Sequence, residues 1–494
     1  MWRMAPFEFD APTFFDIWHR WQNDPQRPDV LHVLTWAQQA PTAQSLLAQS
    51  QDTAWHNLGQ ELAAQCWGLL PGLHRLRLSQ GRVHLSLWVG DESPLTEQLG
   101  EQPTCFNNAL ATPTGSVVII GSGIAGAASA RALAERGWQV RVLDAASHIA
   151  AGASGLPLGL VAPHTSPDDA LISRLSRAGV RCMQQTMQRL LIAGEDWAST
   201  GVQERRLPGK TRKGCAPASW SSPELAPAAQ AWSRPDTTHP ATLWHEKGAW
   251  VKPARLVQAL LNHPQITWQG QQKVQRLHHD RTQNMWQIWQ GDNLLAQADR
   301  VVVAAGPASA ALIASAQVAA PSIQPLRGQL SWGLMAQAPQ LVPLAHPVNG
   351  NGSFACNIPT SDGLAWFCGS SYDRQHNSHE VFEADTQDNF SRLSALLPDT
   401  AHALRDLFTP CASPELRSWA GVRASVPDRL PLMGEVAGAP AGLWTLCALG
   451  SRGLTLGVLC GELLAAMWHN EPLAIEPHML RSLRASRFAD KIKS

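Results

Sequence analysis

An apolar run at residues 117–120 leads directly into three glycines with the spacing G-x-G-x-x-G. Four consecutive apolar residues are typical of a buried parallel strand. In such a turn Gly121 allows the sharp bend, Gly123 lets a pyrophosphate approach the backbone, and Gly126 lets helix and strand pack closely. The N-terminus of the following helix offers N–H groups and a positive dipole end to an anion. These residues predict a dinucleotide-binding α/β domain.

The residues after the glycines provide much of the support for a dinucleotide-binding site, because G-x-G-x-x-G alone is a weak signal. Residues 127–136 are rich in Ala, Leu and Arg, which favour helix, and Gly137 is a natural stop. Residues 139–143 alternate as a second strand would. Asp144 ends that strand at the distance where an acid binds a ribose hydroxyl. The alternative is a strand–turn–helix without a ligand, and the agreement of all these parts argues against it.

Composition limits the class of protein. A chain of 494 residues can hold two or three domains, and its 39 basic and 39 acidic residues create no overall field for nucleic acid or membrane, although a local basic groove stays open. Nine scattered cysteines without a C-x-x-C pair argue against a metal site and fit a reducing cytoplasm. We find neither a signal peptide nor an apolar run of about 18 residues, so we expect a cytoplasmic protein without a membrane partner.

A separate α/β block precedes the glycine turn and has no glycine-rich loop of its own. We assign residues 1–106 to this block and residues 107–115 to a linker rich in turn-forming residues. Alternating patterns predict strands at 29–34, 74–78 and 82–89, a hairpin turn at 79–81 and a helix within 55–67.

Seven segments, in order, resemble those of flavin amine oxidases of the D-amino-acid-oxidase type. They are GSGIAGAASARALAERG, AGASG, GAWVKPARLVQALL, VVVAAG, PLRGQLS, GVRASVPDRLPLMG and ALGSRGLTLGVLCGELLA, and the resemblance covers residues 116–485. It implies a Rossmann-type FAD-binding domain with an inserted antiparallel-sheet substrate domain. The FAD-binding parts would be about 116–180, 245–310 and 415–485, and the substrate-domain parts about 181–244 and 311–414.

Three pieces, LPLMGEV, ALGSRGL and GSSYDR, are similar to the oxidase half of bifunctional enzymes that make 5-methylaminomethyl-2-thiouridine in tRNA. The N-terminal block resembles parts of their methyltransferase half. The S-adenosylmethionine loop of that family is expected upstream of Phe14 and its Asp-Gly-Phe segment after Leu99, and this chain has neither. We therefore expect a truncated methyltransferase-like remnant that cannot methylate, with a docking role for tRNA or for the oxidase left open.

The resemblance also implies which residues hold FAD. The glycine turn would take the ADP half, Asp144 the adenosine ribose, and residues 153–155 would pass near the pyrophosphate and flavin. Leu156 stands where the family often has Asn, so an amide contact would be lost there. The implied cofactor-binding residues are Gly121, Ser122, Gly123, Ile124, Ala125, Gly126, Asp144, Ala153, Ser154, Gly155, Ala305, Gly306, Gly450, Ser451, Gly453 and Leu454.

Arg423, Arg452 and Tyr372 are the implied catalytic residues. In this chemistry the flavin accepts a hydride from the carbon next to an amine, and the protein holds the carboxylate of the substrate. Arginine suits that task because its planar fork pairs with both oxygens. A surface or ion-paired arginine and a buried core tyrosine are the alternatives. For Arg327, in the PLRGQLS segment, a structural role and a functional role are equally open.

The resemblance implies an FAD-dependent oxidoreductase acting on the carboxymethylaminomethyl arm of the tRNA wobble uridine. It would release glyoxylate, leave aminomethyl uridine and pass electrons to dioxygen. An oxidase of free glycine, sarcosine or related small amino acids is one alternative, and an inactive flavin-binding scaffold is another. The neutral net charge mildly disfavours tRNA, since phosphate contacts need Lys and Arg.

Overall fold

The computed structural model describes residues 7–91, 115–205, 216–236, 242–409 and 415–488. The described chain forms two compact units. The first contains residues 7–91 together with Pro217–Trp232 and Leu463–Arg481, and the second contains the rest. The sequence analysis places the latter two segments in the oxidoreductase, so the structure differs from it there. The linker predicted at 107–115 lies, apart from Gly115, outside the described residues.

Strands and helices are numbered here in chain order. The strands are β1 (Phe7–Glu8), β2 (Leu31–Ala37), β3 (Gly72–Leu78), β4 (Val83–Val89), β5 (Ser116–Ile120), β6 (Gln139–Leu143), β7 (Gly159–Val161), β8 (Trp197–Ala198), β9 (Val202–Arg205), β10 (Arg234–Pro235), β11 (Thr242–His245), β12 (Ala249–Val251), β13 (Ile266–Gln269), β14 (Arg276–Asp280), β15 (Met285–Gln290), β16 (Asn293–Ala298), β17 (Arg300–Val303), β18 (Gln324–Leu334), β19 (Val348–Gly350), β20 (Gly352–Thr360), β21 (Gly363–Gly369), β22 (Arg417–Ser425), β23 (Leu432–Glu435) and β24 (Leu443–Cys447). The helices are α1 (Ala11–Asn23), α2 (Ala43–Ser50), α3 (His56–Gln65), α4 (Ile124–Ala134), α5 (Leu171–Leu190), α6 (Ala226–Gln230), α7 (Pro253–Leu261), α8 (Ser309–Ser315), α9 (Glu383–Leu396), α10 (Pro398–Leu404), α11 (Gly453–Trp468) and α12 (Pro477–Arg481).

The first unit is built on a four-stranded sheet in the order β1-β2-β4-β3. β2 and β4 pair in parallel, and β3 returns antiparallel to β4 through Ser79–Gly81, so the predicted hairpin is confirmed. One face of the sheet packs on α1, whose buried side chains include Phe14, Phe15 and Trp18. The helix predicted within 55–67 is α3.

The other face of this sheet carries buried polar side chains. The rings of His32 and His84 lie 4.9 Å apart between centroids, and a Glu471 oxygen lies 3.7 Å from His32 Nε2. Among the described residues these three are the group that could hold a metal ion. However, the two nitrogens of His84 contact the Gly81 carbonyl at 2.9 Å and the Arg75 guanidinium at 3.3 Å. Because a guanidinium this close repels a cation, these three residues form a poor metal site, and the absence of a metal stays a prediction.

The second unit contains the predicted dinucleotide-binding sheet, in the order β13-β6-β5-β17-β24-β23. The first five strands are parallel and β23 is antiparallel. Four residues of β5 are buried, as expected of a strand covered on both faces. β6 has the bounds predicted from its alternation, and α4 begins at Ile124, directly after the glycine turn.

A second large sheet belongs to the same unit and has the order β10-β11-β9-β19-β20-β21-β18-β22. Apart from the parallel pair β9 and β19, its neighbouring strands are antiparallel. This is the inserted antiparallel sheet expected of the substrate domain. Smaller sheets, β7-β12-β8 and β14-β15-β16, complete the unit. Within the described ranges, no helix has both the length and the apolar composition needed to cross a bilayer.

Candidate active site and cofactor cleft

A cavity of about 580 Å³ lies in the second unit, at the carboxyl ends of four parallel strands. Its wall includes the residues that follow β5, β6, β17 and β24, together with one side of β22. Crevices at the carboxyl ends of parallel strands are the usual binding sites of open α/β sheets. The cavity therefore lies where the glycine turn predicts a dinucleotide.

The glycine turn has no room for side chains at two of its three glycines. Gly121 has φ +108°, and a Cβ there would lie 2.5 Å from the Ala304 carbonyl oxygen. A Cβ on Gly126 would lie 1.9 Å from the Gly121 carbonyl oxygen, so close helix–strand packing depends on this glycine. Gly123 is the N-cap of α4 and lines the cavity. The backbone thus provides the cradle that a pyrophosphate requires.

Asp144 is held in place by three hydrogen bonds from its own chain. Its Oδ2 accepts from the Ser122 N–H at 2.6 Å and from the Ser122 hydroxyl at 2.7 Å, and its Oδ1 accepts from the Ala146 N–H at 2.9 Å. Ser122 is fully buried. A carboxylate oxygen has two acceptor positions, so Oδ1 retains one for a ribose hydroxyl.

Thirteen of the sixteen predicted cofactor residues line the cavity. The other three lie behind the wall: Ser122 bonds Asp144, Gly126 packs on Gly121, and a Cβ on Gly155 would lie 2.8 Å from the Ala150 carbonyl oxygen. The residues in the wall are Gly121, Gly123, Ile124, Ala125, Asp144, Ala153, Ser154, Ala305, Gly306, Gly450, Ser451, Gly453 and Leu454.

Arg423 lies in the cavity wall on β22, with its guanidinium across Gly328. A Cβ on Gly328 would lie 1.9 Å from Nη2 of the arginine, so the glycine makes room for it. Nη1 donates to the Ser451 hydroxyl at 3.0 Å, and Nη2 makes longer contacts of 3.4 Å to the Ser370 hydroxyl and 3.5 Å to the Ser371 carbonyl. Burial lowers the pKa of Arg423. No described carboxylate forms an ion pair with it, so its charge is available to an acidic ligand.

The other two predicted catalytic residues lie outside the wall. Arg452 ends the short 3-10 helix Gly450–Arg452, and the pKa of Arg452 is lowered first by burial and then by the charge of Arg429. Tyr372 is 47% exposed, and its ring centroid lies 5.9 Å from the Arg423 guanidinium carbon. The alternative of a buried core tyrosine is therefore wrong.

Arg327, whose role the sequence leaves open, is a buried structural residue. Its guanidinium pairs with Asp385 and donates to the backbone carbonyls of Ser378 and Glu380. It also lies over the Phe382 ring, 4.2 Å from the centroid. These contacts hold the segment after Tyr372 against β18 from inside, so the functional alternative loses its support.

Comparison with known proteins gives the family. The family described as "DAO: FAD dependent oxidoreductase" matches residues 116–467. A protein of Polaromonas naphthalenivorans named "tRNA 5-methylaminomethyl-2-thiouridine biosynthesis bifunctional protein MnmC" is 38% identical over 94% of this chain and 86% of its own length. Its namesake in Paracidovorax citrulli is 36% identical over 99% of this chain and 92% of its own. This chain belongs to the MnmC family, with a DAO-type oxidoreductase.

Solved structures confirm the predicted fold class. Glycine oxidase from Geobacillus kaustophilus superposes with a TM-score of 0.56 at 19% identity, covering 76% of this chain and 98% of its own. L-proline dehydrogenase from P. horikoshii superposes with a TM-score of 0.59 at 15% identity, covering 76% of this chain and 98% of its own. The DAO family is FAD-dependent, and the glycine cradle, the fixed Asp144 and the cavity of about 580 Å³ in this chain fit FAD. The protein is thus an FAD-dependent oxidoreductase acting on a CH–NH group.

Alignment with the MnmC family also shows that this chain lacks segments its relatives have. The alignment with the Polaromonas naphthalenivorans protein runs over 559 positions, more than the 494 residues of this chain. It therefore contains gaps in this chain, opposite residues of the relative.

Some wall residues were not found by sequence reasoning. Residues 272–274 follow β13, and the Gln272 N–H donates to the Asp144 carbonyl at 2.8 Å, which brings this segment to the end of β6. Asn377 and His379 reach the wall from the segment that Arg327 holds. None of these residues stands in a sequence motif. Only the pairing of distant strands shows that they line the cavity.

Cys447 is the thiol in the described wall. Burial raises the pKa of Cys447 to about 11, so the thiol is protonated at neutral pH and is a poor nucleophile. The wall therefore binds and positions, and the redox chemistry comes from the cofactor.

Proposed function

We propose that this protein oxidises the carboxymethylaminomethyl arm of uridine or 2-thiouridine at the tRNA wobble position, releases glyoxylate and leaves aminomethyl uridine. One observation carries the proposal. Arg423 places a half-buried positive charge, without a carboxylate partner among the described residues, in the wall of a cavity that fits FAD. The arm to be removed is an N-alkylated glycine with a free carboxylate, and the relatives are named for tRNA thiouridine biosynthesis.

The chemistry follows from this arrangement. FAD, when bound, supplies the acceptor for a hydride from the glycine carbon next to nitrogen, and the two electrons leave to dioxygen as hydrogen peroxide. Water then adds to the carbon–nitrogen double bond of the substrate, and cleavage gives glyoxylate and the amine. The residues of the chain bind and orient. Arg423 is proposed to pair with the carboxylate through two N–H groups, and Arg452 to add positive charge.

The cofactor roles follow the same placement. We assign the pyrophosphate to the cradle of Gly121 and Gly123, and a ribose hydroxyl to Asp144 Oδ1. Ser154 accepts a hydrogen bond of 2.9 Å from the Ile124 N–H, which ties residues 153–155 to the start of α4. Gly453 begins α11 in the wall, so the positive end of that helix dipole is available to the flavin edge that becomes negative on reduction.

We also propose that the N-terminal block has lost methyltransferase activity. One observation supports this. Residues 7–91 form four strands and three helices without a glycine-rich loop. If so, S-adenosylmethionine and substrate tRNA should give no methylated nucleoside, as checked by mass analysis. Appearance of the methylated product would overturn this part of the proposal.

The test is incubation of the yellow holoprotein with tRNA carrying carboxymethylaminomethyl uridine. We expect loss of that nucleoside, gain of aminomethyl uridine and an equal amount of glyoxylate. Parallel reactions with glycine and sarcosine test the small-amino-acid alternative. Peroxide from sarcosine without change in the tRNA would refute the tRNA function, and a yellow protein inert toward all these amines would support a scaffold. A protein that stays colourless after addition of FAD would refute the cofactor site.

A further inference from the structure

Two arginines flank the single tyrosine of the chain, and two more, Arg452 and Arg429, continue the group beside Arg423 of the cavity wall. The guanidinium carbons of Arg423 and Arg374 lie 5.9 and 5.7 Å from the Tyr372 ring centroid. Arg452 interacts electrostatically with Tyr372 and is repelled by the neighbouring charge of Arg429. Arg374 and Arg429 are exposed, whereas Arg423 faces the cavity.

The arginines of this cluster form no salt bridge with a described carboxylate. None of the ion pairs formed by the described residues involves any of the four arginines. Other arginines nearby are paired: Arg417 with Asp362 at 2.6 Å, and Arg487 with Asp428 at 2.8 Å. The whole chain has zero net charge, so an unpaired group of four is a local basic patch rather than a general property of the surface.

The patch rests on a fixed support. The backbone of Arg327 exchanges two hydrogen bonds with Asp373, with N···O distances of 2.9 and 3.0 Å. The Arg327 side chain holds the carbonyls of Ser378 and Glu380. The segment 372–380, which carries Tyr372 and Arg374, is therefore tied at both ends to one buried residue. Such preorganisation reduces the entropy lost when a ligand binds.

We propose that the rim, defined as Tyr372, Arg374 and Arg429, binds the phosphates and an unpaired base of a tRNA loop beside the cavity. This inference rests on the proposed function and names how its macromolecular substrate docks. One carboxylate needs one or two arginines, and Arg423 and Arg452 are already assigned to it. The remaining guanidinium groups lie outside the cavity wall. There each planar guanidinium can donate two hydrogen bonds to a phosphate of a polynucleotide. The exposed ring of Tyr372 suits stacking on a base of a single-stranded loop.

The experiment measures binding of the FAD-loaded protein to fluorescent substrate tRNA over a range of salt concentrations. The variants are the double substitution Arg374→Ala/Arg429→Ala and the single substitution Tyr372→Ala. The matched control is Arg281→Ala, which removes one exposed arginine from the turn between β14 and β15. We expect the double variant to raise Kd at least about tenfold and to reduce the slope of log Kd against log salt by about one per arginine. Tyr372→Ala should weaken binding about tenfold with an unchanged slope, since stacking is not ionic.

A glyoxylate assay at saturating tRNA, run on the same proteins, separates this inference from the function beneath it. If the wild-type protein converts the wobble nucleoside but the double variant binds with unchanged Kd and slope, the rim is refuted and the function stands. Equal weakening in the Arg281→Ala control also refutes the rim, because any arginine would then serve. If the wild-type protein neither binds nor converts tRNA, both the rim and the proposed function are refuted.

Discussion

Replacing Arg423 by methionine tests the carboxylate-binding role directly. Methionine keeps a long unbranched side chain, so it can occupy the space across Gly328 while removing every donor. The variant should keep FAD, because the cradle at Gly121 and the bonds to Asp144 involve other elements. The visible absorbance of bound flavin therefore serves as the test that the site is intact.

The magnitude follows from the donors that are lost. Hydrogen bonds to a charged group contribute about 1.5–3 kcal/mol each. A bidentate carboxylate contact has two of them, and existing bonds to Ser451 and Ser371 must be partly exchanged for it. We therefore expect a net loss of about 3–4 kcal/mol, which lowers kcat/KM by about 10²–10³. Lysine at this position keeps the charge but not the fork, so Arg423→Lys should fall between wild type and Arg423→Met.

The assay is glyoxylate release from tRNA carrying the modified uridine, measured under kcat/KM conditions. Arg417→Met is the matched control, since Arg417 lies on the same strand, β22, and forms a partly exposed ion pair with Asp362. An ion pair of that kind contributes about 0–1 kcal/mol to stability and nothing to the cavity wall. The reasoning is refuted if Arg423→Met retains its flavin and works within about threefold of the control.

Three further predictions concern the frame of the site. Arg327→Met leaves Asp385 without its buried partner, so unfolding in urea should show a loss of about 3–5 kcal/mol, and an unchanged midpoint would contradict this. Gly126→Ala places a Cβ 1.9 Å from the Gly121 oxygen, so the purified variant should lack visible flavin absorbance, whereas normal yellow protein would exclude the assigned packing. The pKa of Cys447 is raised to about 11 from 9.0, so the thiolate is disfavoured in the folded state. The protonated thiol therefore contributes fully to the free energy of unfolding below pH 9.0, and this contribution is lost as pH rises toward 11. Between pH 9 and 11 the free energy of unfolding of Cys447→Ala should fall less steeply than that of the wild type. Equal slopes for the two proteins would refute the prediction.

The cofactor half of the site could be predicted from sequence because its determinants are local. A buried strand, a glycine turn, a helix and an acid follow one another within residues 116–144, and each is specified by its own neighbours. The hydroxyl that fixes Asp144 could not be foreseen, since Ser122 reaches it only when β5 and β6 pair. The bounds of β6 were predictable from alternation alone.

The substrate half was less accessible to sequence reasoning because distant segments build it. Arg327 and Arg423 both stand in recognisable segments, yet one is an anchor and the other lines the cavity. The difference arises from the pairing of β18 with β22 and from the carbonyls of residues 378 and 380, which are about 50 positions away from Arg327. The sequence identifies both residues as arginines in family segments. Only the fold determines whether each guanidinium already has a carboxylate and carbonyl partners within the protein.

The first unit offers a last test, because a segment from the middle of the chain completes it. Trp232 is 1% exposed, its Nε1 donates to the Gly68 carbonyl at 2.6 Å, and its ring centroid lies 4.8 Å from that of Trp67. Removing a buried aromatic ring costs about 3–5 kcal/mol, so Trp232→Ala should lower the free energy of unfolding of this unit by that amount and shift its midpoint down in urea. Trp268, in β13 of the second unit, provides the control: Trp268→Ala should leave the transition of the first unit in place. If Trp232→Ala leaves it in place as well, Pro217–Trp232 is not part of this core, and the sequence-based assignment of that segment to the oxidoreductase gains support.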